Sequence, residues 1–114
     1  MAEKEMTPIK APYNEITKVT LEAASTAVDG MRCKLPGADE YVFILVENTA
    51  ESNSTIKVKA PTNGSYAAAT EDLSLTLAAS EKAVIRVESA RYANNLGEII
   101  LIPSALTVKA CVVY

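Results

Sequence analysis

Apolar and polar residues alternate one by one in several short stretches of this 114-residue chain. Leu73, Leu75 and Leu77 interleave with Ser74 and Thr76, and Ile85 and Val87 with Arg86 and Glu88. Ile56 and Val58 interleave with Lys57 and Lys59, and Thr17, Val19 and Leu21 with Lys18 and Thr20. From Leu106 the same period runs to the C-terminal Tyr114, with Val108, Ala110 and Val112 against Thr107, Lys109, Cys111 and Val113. Period two sends successive side chains to opposite faces, so each stretch predicts a strand with one dry and one wet side. Residues 78–82 are small and polar, which predicts that 72–89 folds back as two antiparallel strands joined by a turn.

Two stretches break the alternation. Tyr41–Glu47 (YVFILVE) and Glu98–Ile102 (EIILI) are apolar on both faces. A strand of a two-layer sandwich turns one face to the core and the other to water. The second apolar set therefore needs cover from the N-terminal segment, a long loop or another subunit. An exposed apolar area of that kind marks an interaction site, and the reading favours a partner chain with Val42, Ile44 and Val46 as contact residues.

Asp29-Gly30, Pro36-Gly37, the NTAESNS run at 48–54, the loop at 61–70 and the connector at 90–97 punctuate the strands with turn formers. Met31–Leu35 reads as one more short strand. No sustained helical period occurs, and 67–72 could hold a single turn at most. These features predict an all-β fold, an antiparallel β-sandwich or jelly-roll-like barrel of roughly seven to eight strands. They also divide the chain into an extended N-terminal arm, 1–14, and one β-sandwich domain, 15–114. Pro8 and Pro12 disfavour helix in the arm, and its mixed charges disfavour burial.

Composition narrows the chemistry. The chain is 49% hydrophobic but only 5% aromatic, with one Phe and no Trp, so its core must be built from Val, Ile, Leu and Ala. The net charge of −3, with scattered basic residues, argues against a phosphate-driven nucleic-acid binder. There is no histidine, which removes the usual general base, the usual metal ligand and every His-activated nucleophile. The carboxylate pairs Asp39-Glu40 and Glu71-Asp72 flank strands and read as solvated loop acids. No calcium-type D-x-D spacing and no glycine-rich phosphate loop is present. The expectation is a protein that is not an enzyme and uses no metal, cofactor, nucleic acid or membrane. Cys33 and Cys111 fit no metal spacing; they either pair or pack as reduced thiols, and the lack of a signal-like N-terminus favours thiols in a protein made in a cytoplasm. An alternative role, binding sugar or a cell surface, would use the loops around Asn63–Tyr66 and Tyr92–Asn95.

The order YVFILVENTA, STIKVKAP, a loop, DLSLTLAASEKAVIRVESARYANNLGEIILIPS and a final ALTVKACVVY resembles small tailed-bacteriophage and prophage virion proteins of the decoration, or head-stabilising, type. The likeness covers about residues 40–114 and lies in strand spacing rather than a catalytic signature. Ala78-Ala79-Ser80 stands where that pattern has an Ala-Gly turn, and the arm has no counterpart. The resemblance implies a non-enzymatic subunit of the virion, made in the bacterial host cytoplasm and carried on the outer capsid surface. Its partner would be the major capsid protein, its own assembly a homo-oligomer with a trimer favoured, and its effect the reinforcement of contacts between shell subunits. A head or tail structural component of a phage is the related alternative. An arm that adds a strand to a neighbour suits such a role, which makes Thr7, Pro8, Ile9, Lys10, Pro12 and Tyr13 candidate contact residues.

Overall fold

The computed structural model describes residues 4–12, 14–23, 30–35, 41–61, 69–94 and 96–114. The chain is a sandwich of two sheets rather than a closed barrel. Strands β3 (Met31–Lys34), β4 (Tyr41–Asn48), β5 (Ser54–Val58), β6 (Leu73–Leu77), β7 (Lys82–Glu88), β8 (Glu98–Pro103) and β9 (Val108–Val113) lie where the alternation or the two-sided apolar runs place them. Two short strands, β1 (Lys4–Met6) and β2 (Glu22–Ala23), bring the described total to nine, and one helical turn, α1 (Ser89–Tyr92), follows β7. One sheet has the order β1-β3-β8-β5-β6 and the other β2-β9-β4-β7. All neighbours are antiparallel except β1 and β3.

The core between the sheets is aliphatic. Val42, Ile44 and Val46 of β4 and Val108, Ala110 and Val112 of β9 meet Met31, Cys33, Ile56, Val58, Leu77, Ile99 and Leu101 of the facing sheet. The composition leaves little else to fill that space, and the two tyrosines that touch it, Tyr92 and Tyr114, do so from the periphery.

Four expectations need correction. Strands β6 and β7 are not a hairpin: β6 pairs with β5 and β7 with β4, so residues 78–81 cross from one sheet to the other. Period two tells which side chains are dry, not which strand is the partner, and a tight reversal serves an arch between layers as well as a hairpin. Ser80 takes the left-handed conformation that this crossing needs (φ 59°). Residues 17–21 form no strand; β2 begins only at Glu22, and Val19 is exposed. Val42, Ile44 and Val46 are core residues at 0–1% exposure and cannot present a surface to a partner. The dry parity of β4 holds the compact β-branched residues, while Tyr41 and Phe43 share the other parity with the charged Glu47.

The last correction concerns the N-terminal segment, which is extended but tied to its own domain. Glu5 and Met6 pair in parallel with Arg32 and Cys33, and Met6 is buried. Further on, the Ile9 amide donates to Val112 O (2.8 Å), Ala11 to Tyr114 O (2.7 Å) and Tyr114 to Ile9 O (2.9 Å). The segment thus bonds to both sheets in turn instead of reaching away.

The arch at 78–81 is fixed by one buried amide. Asn48, at 0% exposure, donates through Nδ2 to Ser52 O (2.8 Å), Ala78 O (3.1 Å) and Leu77 O (3.3 Å). Its Oδ1 accepts from the Ala50 amide at 3.1 Å. A buried polar side chain survives only when its groups are satisfied, and here the satisfied amide binds the end of β4 to the crossing.

Candidate functional site

The residue register places the outward side chains of β4 beside those of β7: Tyr41 by Glu88, Phe43 by Arg86, Leu45 by Val84 and Glu47 by Lys82. Tyr41, Phe43 and Val84 are 58%, 41% and 56% exposed, an uncommon allowance for rings in a chain with so few. The Arg86 guanidinium lies over both rings, 5.1 Å from the Tyr41 centroid and 5.4 Å from that of Phe43. Such a stack holds the cation and the rings in one plane of presentation. Lys82 stands 3.9 Å from Glu47 at the far end of the face. Around Tyr41 the face opens into a groove of about 530 Å³ lined by Leu73, Arg86, Glu88, Arg91 and Tyr92.

Toward β9 the same face is closed. Cys111 and Val113 point outward by register yet are buried, with Ile9 bridged in parallel to Val113. The second apolar strand is also covered within the chain. On the outer face of the five-stranded sheet, Ile100 lies by Arg32 and Ile102 by Lys57, both isoleucines only partly exposed. Long cationic side chains can shield such residues with their aliphatic stems. Arg32 is held over this face by Glu5 (2.9 Å) and Glu98 (3.4 Å). Among strand residues the largest adjoining apolar exposure is that of Tyr41, Phe43 and Val84 on β4 and β7, while Ile16, Leu96 and Leu106 are exposed singly outside the strands.

Strand β7 also ends its sheet. In an antiparallel ladder directly opposed residues alternate between bonded and non-bonded pairs. Asn48 donates to Glu81 O (2.9 Å) and Thr49 to Thr107 O (2.9 Å), so the even residues of β4 bond toward β7 and the odd ones toward β9. It follows that Ala83, Ile85 and Val87 spend their backbone groups on β4. The N–H and C=O groups of Lys82, Val84 and Arg86 point to the open side, where no described strand pairs with them; the Glu88 C=O is taken by the first turn of α1, which starts at Ser89.

The other candidates are dispersed. Thr7, Lys10 and Pro12 are exposed, and Pro8 and Ile9 half-buried, along the docked N-terminal segment; Tyr13 lies outside the described residues. So do Asp39-Glu40 and the Asn63–Tyr66 loop. Asp72 accepts the Ala60 amide at 2.8 Å and holds a loop. Among the described residues no group of three or more His, Cys, Asp or Glu side chains could hold a metal ion. No described helix is long and apolar enough to cross a membrane. Cys33 and Cys111 are both buried and unpaired. Burial, and then the nearby Cys111 and Glu22, push the Cys33 thiol up to about 12. Burial raises Cys111 as well, against a hydrogen bond to the Leu45 backbone that lowers it.

The Tyr41–Phe43–Val84–Arg86 face is the feature that the sequence reading missed. Its signal was present: Glu47, Arg86 and Glu88 share the parity of those residues, and a parity that carries charge is the wet one. No protein-family model matches this chain, nor does any curated protein or solved structure.

Proposed function

We propose that the chain is a non-enzymatic structural protein of a virion, a decoration subunit that docks on the outer capsid surface and reinforces contacts between shell subunits. The observation that carries this reading is the rigid outer face of β4 and β7, where Arg86 stacks on the exposed Tyr41 and Phe43 beside Val84. Aromatic and arginine side chains presented together, with a charged rim, are the usual anchors of a protein interface. A cement protein needs such a face on a stiff scaffold and no reacting group. The shell repeats its sites, so each contact can be modest and still hold. The partner is the major capsid protein, and its complementary patch is apolar with a carboxylate opposite Arg86 or Arg91.

Empty shells assembled from the major capsid protein encoded in the same genome provide the test. Sedimentation of the shells should carry the chain down saturably. Phe43→Asp and Arg86→Glu should each reduce that binding at least about tenfold, the loss of one anchor, with far-UV dichroism unchanged. No cosedimentation, or equal binding by both variants, would refute the reading. The groove between Tyr41 and Tyr92, flanked by Arg86 and Arg91, supports a second reading, an acidic sugar ligand. Retention on immobilised acidic glycans, lost in Tyr92→Ala, would favour it.

A further inference from the structure

The open edge of β7 is complementary to itself. Lys82, Val84 and Arg86 expose their backbone groups there, and β7 is the longer of the two strands on that side of the sandwich. We infer that β7 pairs antiparallel with β7 of a second copy about a two-fold axis at Ile85, making one continuous sheet across the dimer. This inference rests on the edge alone and not on the virion reading.

Backbone parity and charge select that register. A slip of one residue would set edge-facing amides against groups already bonded to β4, so only registers that oppose edge-facing residues can form. With the axis at Ile85, Lys82 of each copy lies opposite Glu88 of the other, and Val84 opposite Arg86. The strand then gains roughly six backbone hydrogen bonds and two cross-strand ion pairs. Moving the axis to Val84 would oppose Lys82 to Arg86. Moving it to Arg86 would oppose that arginine to itself. Like charges directly opposite are destabilising, so the sequence admits one register and disfavours its neighbours. Charged residues ordinarily protect an edge from strangers; here they are matched only by a second copy in this alignment.

The interior of the sandwich points to the same edge. Of the partly buried hydrophobic residues that border the core, Leu75, Ala83 and Ile85 belong to β6 and β7, where the layers end without a covering strand among the described residues. Two-fold pairing brings Ile85 against its own symmetry mate and Ala83 against Val87, closing this side. The opposite side has its own cover, because β1, β2 and the Ile9–Ala11 segment occupy those strands.

Analytical ultracentrifugation of the full chain between about 1 µM and about 1 mM, the span of weak to moderate self-association, tests the pairing. The expected species is twice the 12.1 kDa chain mass. Val84→Pro removes an edge-facing N–H that makes no bond to β4 and should leave a folded monomer. Glu88→Lys should weaken the dimer about tenfold or more, because two attractions become two repulsions. The double exchange Lys82→Glu/Glu88→Lys should restore most of the affinity, a result that general misfolding cannot produce. A monomer throughout, a trimer, or a dimer indifferent to both Val84→Pro and Glu88→Lys would overturn the inference.

Discussion

Asn48→Ala should be among the most destabilising single changes in this protein. The side chain is fully buried and makes three firm hydrogen bonds, to Ser52 O (2.8 Å), Ala78 O (3.1 Å) and the Ala50 amide (3.1 Å). A fourth contact, to Leu77 O, is longer at 3.3 Å. Each internal bond is worth about 1 kcal/mol net, and groups left without a partner inside the protein add their desolvation cost. The expected loss is about 3 kcal/mol, against a total stability of roughly 5–15 kcal/mol for a domain. For a chain of this size that corresponds to a fall in Tm of about 12 °C or more.

Urea unfolding at one fixed protein concentration, which holds any mass-action contribution from self-association the same for each variant, gives the number. Thr49→Val is the control, because it removes an exposed bond to Thr107 O (2.8 Å) one residue away and should cost below about 1 kcal/mol. The midpoint should drop sharply for Asn48→Ala and barely for Thr49→Val, with the denaturant slope unchanged in both. If the two variants lose the same small amount, Asn48 does not fix the arch, and the assignment of β6 and β7 to different sheets loses its best local support.

Three further outcomes follow from the packing. Gly30→Ala would place a Cβ 2.4 Å from Leu101 O and 2.7 Å from Ile102 Cδ1 at a φ of +74°; thermal unfolding should show a loss of about 3 kcal/mol. Deleting residues 1–12 removes the buried Met6 and the bonds to Val112 and Tyr114, so denaturation should register at least about 3 kcal/mol, whereas a free arm would leave stability unchanged. Cys33 and Cys111 should resist a thiol-specific reagent until the chain unfolds, because both are buried thiols rather than thiolates. The folded pKa of Cys33, about 12, exceeds its ordinary 9.0, so its contribution is whole below pH 9. It is lost between pH 9 and 12 at roughly 1 kcal/mol per unit, and a Cys33→Ala variant should show a shallower alkaline slope.

The sequence made the sandwich readable because its information is about faces. Ile56 and Val58, and Val108–Val112, declare their dry sides by parity, and the structure keeps those sides dry; along Leu73–Leu77 the same parity runs from an exposed Leu73 through a half-buried Leu75 to a buried Leu77. Parity is silent about neighbours, which is why 72–89 looked like a hairpin and is an arch. Residues 17–21 alternate as well as any strand, yet the outer part of that edge goes to β2 and the Ile9 segment, and alternation without a free partner makes no strand. In β4 both parities are apolar, so the choice of inner face rested on Glu47 at one end and on the bulk of Tyr41 and Phe43. The exposed patch was hidden for another reason: Arg86 joins Tyr41 and Phe43 only across strands distant in sequence, and a scan for neighbouring aromatic and basic residues passes over it.

The two sides of the sandwich treat their edges differently. On one side short strands and the N-terminal segment use up the backbone groups of β3 and β9, and the segment that looked free for a neighbour serves this purpose. On the other side Lys82, Val84 and Arg86 of β7 have no described strand beside them, next to a face where Tyr41 and Phe43 reach solvent. Pairing at β7 would set Val84 of each copy beside Arg86 of the other, so the two Tyr41–Phe43–Arg86 faces would merge across the axis. Binding of one face would then hold the second at an effective concentration in the millimolar range. The paired edge would then double a modest face, which would tie the charge pattern of β7 to the docking role proposed for β4.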